Sequence, residues 1–262
     1  MKNINNFIQE KLKITSSTKI GNIYNELKYF PKNNNELKRI IKTLIKERGN
    51  EANLNDIDVS QITDMSKLFE DDPREFILCK FNGDISEWDV SNVKNMQGLF
   101  YNCAFNGDIS EWDVSNVENM GSTFYLSSFN GDISKWDVSN VDNTRFMFRR
   151  SLFNKNISNW NVSKVKDMQF MFNESKFNQD ISKWDVSNVE SMQYMFAGSV
   201  FNQDISDWDV SNVVNFESMF ENTSYNKNLD KWNVKSARLG MKNMFKKCPL
   251  VRKPPIWYKK MY

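Results

Sequence analysis

Large apolar residues recur along this chain at one fixed interval. Phe81, Phe105, Phe129, Phe153, Phe177, Phe201 and Tyr225 lie 24 residues apart, and Trp88, Trp112, Trp136, Trp160, Trp184, Trp208 and Trp232 keep the same period. A strict period of this length marks a repeat protein. One repeat cannot bury its own apolar face, so neighbours must stack into an elongated array with a continuous core.

Two kinds of spacing occur inside each repeat. In ISEWDVSNVKNMQGLF, Trp88 and Val90 alternate around Asp89 as in a short strand, whereas Val93, Met96, Leu99 and Phe100 follow the spacing of a two-turn helix. Ser91 stands between them as an N-cap, and Ser115 with Glu118 and Ser187 with Glu190 read as capping boxes. Asn82-Gly83, Asn106-Gly107 and Asn130-Gly131 read as turns. The pattern therefore predicts an α/β solenoid of 24-residue repeats, with a parallel sheet on one side and short helices on the other.

The front of the chain predicts helices. Ile4, Phe7, Ile8 and Leu12 share a stripe, and the run from Glu36 places Leu37, Ile40, Ile41, Leu44 and Ile45 on one face. Asn33 to Asn35 offer N-caps and Gly49 a stop. The expected organisation is a helical N-terminal cap over 1–53, a degenerate first repeat with an insertion over 54–80, regular repeats over 81–245 and a basic C-terminal cap or tail over 246–262.

FNGDISEWDVSNVENM and its copies resemble the repeat of the BspA-like leucine-rich repeat surface proteins and the related mycoplasma lipoprotein-associated repeat of unknown function. The leader ELKRIIKTLIKERGNEANLNDIDVSQITDMSKLF is similar to leaders on members encoded by bacteriophages and gut bacteria. The resemblance implies a leucine-rich-repeat-like solenoid and, for the surface members, adhesion to host proteins. The start of the chain lacks the signal peptide or lipid-attachment cysteine of the surface members. That departure leads to an expectation of a cytoplasmic protein in the producing cell, or a virion-associated one if phage-encoded.

Charge adds polarity to the array. Residues 1–50 carry a net +7, residues 51–230 a net −15 and residues 231–262 a net +10. This arrangement allows self-association through the opposite charges of body and ends. No run of apolar residues is long enough to span a membrane. Cys79, Cys103 and Cys248 lack metal-ligand spacing and read as free thiols.

Histidine is absent, which removes histidine-based acid–base catalysis, Ser-His and Cys-His nucleophile pairs and the usual histidine metal sites. No phosphate-binding loop, dinucleotide fingerprint or paired-cysteine motif occurs, so no enzyme activity, cofactor or metal is expected. The recurring Asp84 and Asp89 columns raise a calcium ladder, but both change to asparagine at Asn156 with Asn161 and at Asn228 with Asn233. A turn-fixing carbonyl role explains that exchange. The invariant column Asn82 to Asn226 predicts an internal amide ladder.

Function is then expected where repeats differ. The candidate binding residues are Tyr101, Tyr125, Arg145, Phe146, Arg149, Arg150, Phe170 and Tyr194 on the outward side of the expected helical segments. Aromatic rings beside arginines form interface hot spots, which points to another protein or a host surface component as partner. The same rings could instead fill grooves between coils. An alternative places nucleic acid on the tail, where Lys246, Lys247, Arg252, Lys253, Lys259 and Lys260 surround Trp257 and Tyr258, although the acidic body opposes it.

Overall fold

The computed structural model describes residues 27–71, 76–237 and 240–259. The expected stripe of Ile4, Phe7, Ile8 and Leu12 lies outside the described residues.

The chain winds as stacked coils, but it is not the expected α/β leucine-rich-repeat-like solenoid. Among the described residues there is no extended strand and no sheet, and the only α-helices are α1 (Asn34–Arg48) and the single-turn α2 (Ile256–Lys259). In place of strands, isolated parallel bridges link the coils, one series running from Asp64 to Asn95, Asn119, Asn143, Asp167, Ser191 and Asn215 in succession.

The reason is a chain of tight turns. In one coil Trp88 N–H donates to Ile85 O, Val93 N–H to Val90 O, Leu99 N–H to Met96 O and Tyr101 N–H to Gly98 O. Each is an i to i+3 bond, so apolar residues recur every three or four positions without a helix. The intervening N–H groups of Met96, Gly98, Phe100 and Asn102 instead reach carbonyls of the next coil. Two residues per coil, four apart, take left-handed backbone: Gly98 and Asn102, Ser122 and Leu126, Phe146 and Arg150, Phe170 and Glu174, Tyr194 and Gly198, Ser218 and Asn222. No α-helix tolerates that alternation. Ser115 and Ser187 accordingly cap nothing, and their own N–H groups donate to Asp113 and Asp185.

The core consists of ring columns. Phe81 through Tyr225 stack at 6.0–6.3 Å between centroids. A second column runs Phe69, Phe100, Phe124, Phe148, Phe172, Phe196, Phe220 and Phe245 at 5.4–6.0 Å. All are buried, and burying each such side chain contributes roughly 1.5–3 kcal/mol. The tryptophans lie beside them, and every indole N–H has a destination: Trp112 donates to Ile85 O at 3.2 Å, Trp136 to Ile109 O at 3.1 Å, and the series continues to Trp232 on Ile205 O.

Both visible ends of this core are covered. Helix α1 buries Leu37, Ile41, Leu44 and Ile45 against it; Asn33 accepts from Glu36 N–H, and Gly49, at φ 87°, closes the last turn on Ile45 O. Lys38 reaches across to the carbonyls of Lys67 and Glu70, and burial pulls its pKa down against the pull of Glu70 and Asp71. At the far end Trp257 lies 6.2 Å from Phe245 and donates to Leu229 O at 2.7 Å. It repeats the bond made by every tryptophan before it.

Candidate functional site

Side-chain oxygens fix the coil corners. Ser110 N–H donates to Asp108 at 2.9 Å and Ser158 N–H to Asn156 at 2.9 Å; in the second column Ser139 N–H donates to Asp137 and Ser163 N–H to Asn161. Aspartate and asparagine thus do the same work, with Oδ1 accepting the N–H two residues on. The serine N–H and hydroxyl hold Asp108, Asp132, Asp180 and Asp204 below the usual carboxylate range.

The asparagine column is a ladder, with each backbone N–H donating to the Oδ1 of the asparagine one coil earlier at 2.7–3.2 Å. It is half-buried or exposed, not internal, and the Asn-Gly pairs do not form turns. A third turn-fixing column, Asn95, Asn119, Asn143, Asp167 and Asn215, was not anticipated. Its signal is the shared side-chain carbonyl just before each buried methionine or its equivalent.

The turn-rich side brings most of the candidate residues together. Tyr101 and Tyr125 meet at 5.2 Å, Tyr125 and Phe146 at 6.2 Å, Phe146 and Phe170 at 4.8 Å, and Phe170 and Tyr194 at 4.8 Å. These five rings form a ribbon across five coils. It changes column at Arg149, whose guanidinium lies 5.2 Å from Tyr125, 5.5 Å from Phe146 and 5.2 Å from Phe170. Arg145 lies over Phe146 at 5.0 Å. Arg150 stands apart in an ion pair with Glu174 at 2.8 Å.

All five rings are half-buried, neither core nor free surface. Phe146, Phe170 and Tyr194 have φ of 60°, 57° and 55°, in the column where other coils place Gly98, Ser122 and Ser218. A bulky residue at such a backbone position is an outlier.

The basic tail is partly committed elsewhere. Trp257 packs half-buried against Phe245 and donates to Leu229 O, and Lys246 pairs with Glu221 at 2.8 Å. Lys260 lies outside the described residues. Cys79, Cys103 and Cys248 are unpaired, and burial pushes the Cys103 thiol up to about 12 and that of Cys79 to about 11. Among the described residues no helix is long and apolar enough to cross a membrane.

This geometry defines a repeat protein built on an acceptor-capped coil with a ribbon of aromatic rings and arginines on one side. The chain belongs to the family described as Mycoplasma protein of unknown function, DUF285, which matches residues 36–153 and 149–256. No curated protein and no solved structure matches it.

Proposed function

We propose that this chain is a non-enzymatic repeat scaffold that holds another protein, or a component of a host surface, through the ribbon of Tyr101, Tyr125, Phe146, Phe170 and Tyr194 with Arg145 and Arg149. One observation carries the reading: three consecutive coils place Phe146, Phe170 and Tyr194 at left-handed backbone positions. Each such residue costs of the order of 1–3 kcal/mol, and strain of this kind gathers at binding sites. Core packing does not require it, because Phe148, Phe172 and Phe196 already fill the interior of the same coils. Rings and guanidinium groups are also the side chains that dominate interface energetics.

The nucleic-acid alternative has weaker support. Trp257, the ring best suited to stack on a base, is engaged with Phe245 and Leu229 O.

The test replaces Phe146, Phe170 and Tyr194 by serine, which Ser122 and Ser218 already tolerate in that column. A partner captured from cells that carry or meet this protein is purified and titrated against wild type and variant. Binding should weaken by more than about tenfold, a loss of about 1.4 kcal/mol or more, while the variant still melts cooperatively. Equal affinity for both proteins would refute the proposal.

A further inference from the structure

The left-handed column has a gap beside the ribbon. Along it the residues are Lys67, Gly98, Ser122 and then Phe146, so two adjoining coils carry almost no side chain between a lysine and a ring. The gap forms a cavity of about 340 Å³ with Gly98 and Ser122 as floor and Tyr101, Tyr125 and Phe146 as walls. At φ 64° Gly98 suits the backbone, and an added Cβ would meet only Lys67 Cγ at 3.5 Å and Tyr101 Cβ at 3.8 Å, ordinary contacts that leave the floor open.

The two ends of the cavity differ electrostatically. Lys67 is neutralised by Glu70 at 3.2 Å. Arg149, at the other end, donates from Nε to Asn173 Oδ1 at 2.8 Å, and neither it nor neighbouring Arg145 has a carboxylate in ion-pairing range among the described residues. Arg48 and Arg150, by contrast, are both paired. An uncompensated guanidinium group, that of Arg149, thus lines an aromatic-walled notch in a segment of net charge −15, with Arg145 beyond it over Phe146. A polyanion would be repelled at long range by that body, whereas a single carboxylate meets the arginines only at contact.

Resting on the protein-binding reading above, we infer that this notch is an anchor pocket for a partner peptide segment that carries an aromatic side chain next to an aspartate or glutamate. The ring packs against Tyr101, Tyr125 and Phe146, and the carboxylate takes the unused fork of Arg149.

The test titrates N-acetyl-Trp-Glu-amide, N-acetyl-Trp-Gln-amide and N-acetyl-Ala-Glu-amide into the full chain, followed by amide chemical shifts. The Trp-Glu probe should shift the amides of Gly98 and Ser122 and bind at least about fivefold more tightly than either control. Ser122→Phe fills the notch with the residue that the next coil already carries and leaves the ribbon whole. It should weaken the Trp-Glu probe by about tenfold or more. Unchanged affinity in that variant, equal binding of all three probes, or tighter binding of heparin or oligothymidine than of Trp-Glu would overturn the pocket. If Ser122→Phe fails to fold, the wild-type shift map decides, and shifts confined to other coils overturn it. A protein partner that binds Ser122→Phe as well as wild type but loses the triple-serine variant would remove the pocket and leave the ribbon standing.

Discussion

A phenylalanine in left-handed backbone is held there by its neighbours. At Phe170 that conformation costs about 1–2 kcal/mol. Stacking on Phe146 and on Tyr194 contributes about 0.5–1.5 kcal/mol per pair, and the Arg149 guanidinium adds about 0.5–1 kcal/mol more. These terms are of similar size and opposite sign. Phe170→Gly, which relieves the backbone while removing the ring, should therefore change the unfolding free energy by less than about 2 kcal/mol. Two residues along, Phe172 is fully buried between Phe148 and Phe196, and Phe172→Ala should cost about 3–5 kcal/mol. Urea denaturation of the two variants compares them directly. Equal losses would make Phe170 a core residue and remove the strain argument for the ribbon.

At the scale of the element, the coil separates what the sequence states from what it hides. Helix α1 was legible because its apolar spacing, its cap at Asn33 and its stop at Gly49 all agree. The ring columns were legible because they stay aromatic throughout, with Tyr225 the one exchange in the series from Phe81. The expected strand and short helix were not, because Met96, Leu99 and Phe100 have helical spacing whether the backbone winds as a helix or as successive tight turns. The left-handed positions would have decided between them. Gly98, Asn102, Gly198 and Asn222 hint at them, but Phe146, Arg150, Phe170 and Glu174 in the same columns conceal the requirement. The turn-fixing columns carry a consequence for acid stability. Asp108 and Asp132 have folded-state pKa values below their unfolded ones, so their contribution is present above the unfolded value of about 3.9 and is lost as pH falls through the folded value. Asn156 keeps the same bond to Ser158 without titrating. The double variant Asp108→Asn, Asp132→Asn should melt within a few degrees of wild type at pH 7 and lose less on transfer to about pH 3. Thermal scans at both pH values check this, and an equal or larger acid loss in the variant would show that these carboxylates do not contribute through their turn bonds.

Across the whole molecule, an array whose coils touch only their neighbours is as stable as its ends allow. Among the described residues, helix α1 packs on one end and the segment around Trp257 on the other. The basic charge of the C-terminal part is also partly spent internally, with Lys231 on Asp207 and Lys246 on Glu221. Whether this segment is a lid or a nucleic-acid grip can be decided by removing one atom's bond. Trp257→Phe keeps a ring against Phe245 but removes one of the two donors to Leu229 O, which still accepts from Trp232 N–H. Losing one such hydrogen bond costs about 0.5–1.5 kcal/mol. In a one-dimensional array that loss should loosen the last coil first. Amide exchange should therefore accelerate around Tyr225, Leu229 and Trp232 while the coils around Trp112 stay protected, and the urea midpoint should fall. A variant with unchanged exchange and unchanged midpoint, but with weakened binding to oligonucleotides at physiological salt, would show that Trp257 serves a ligand and not the fold.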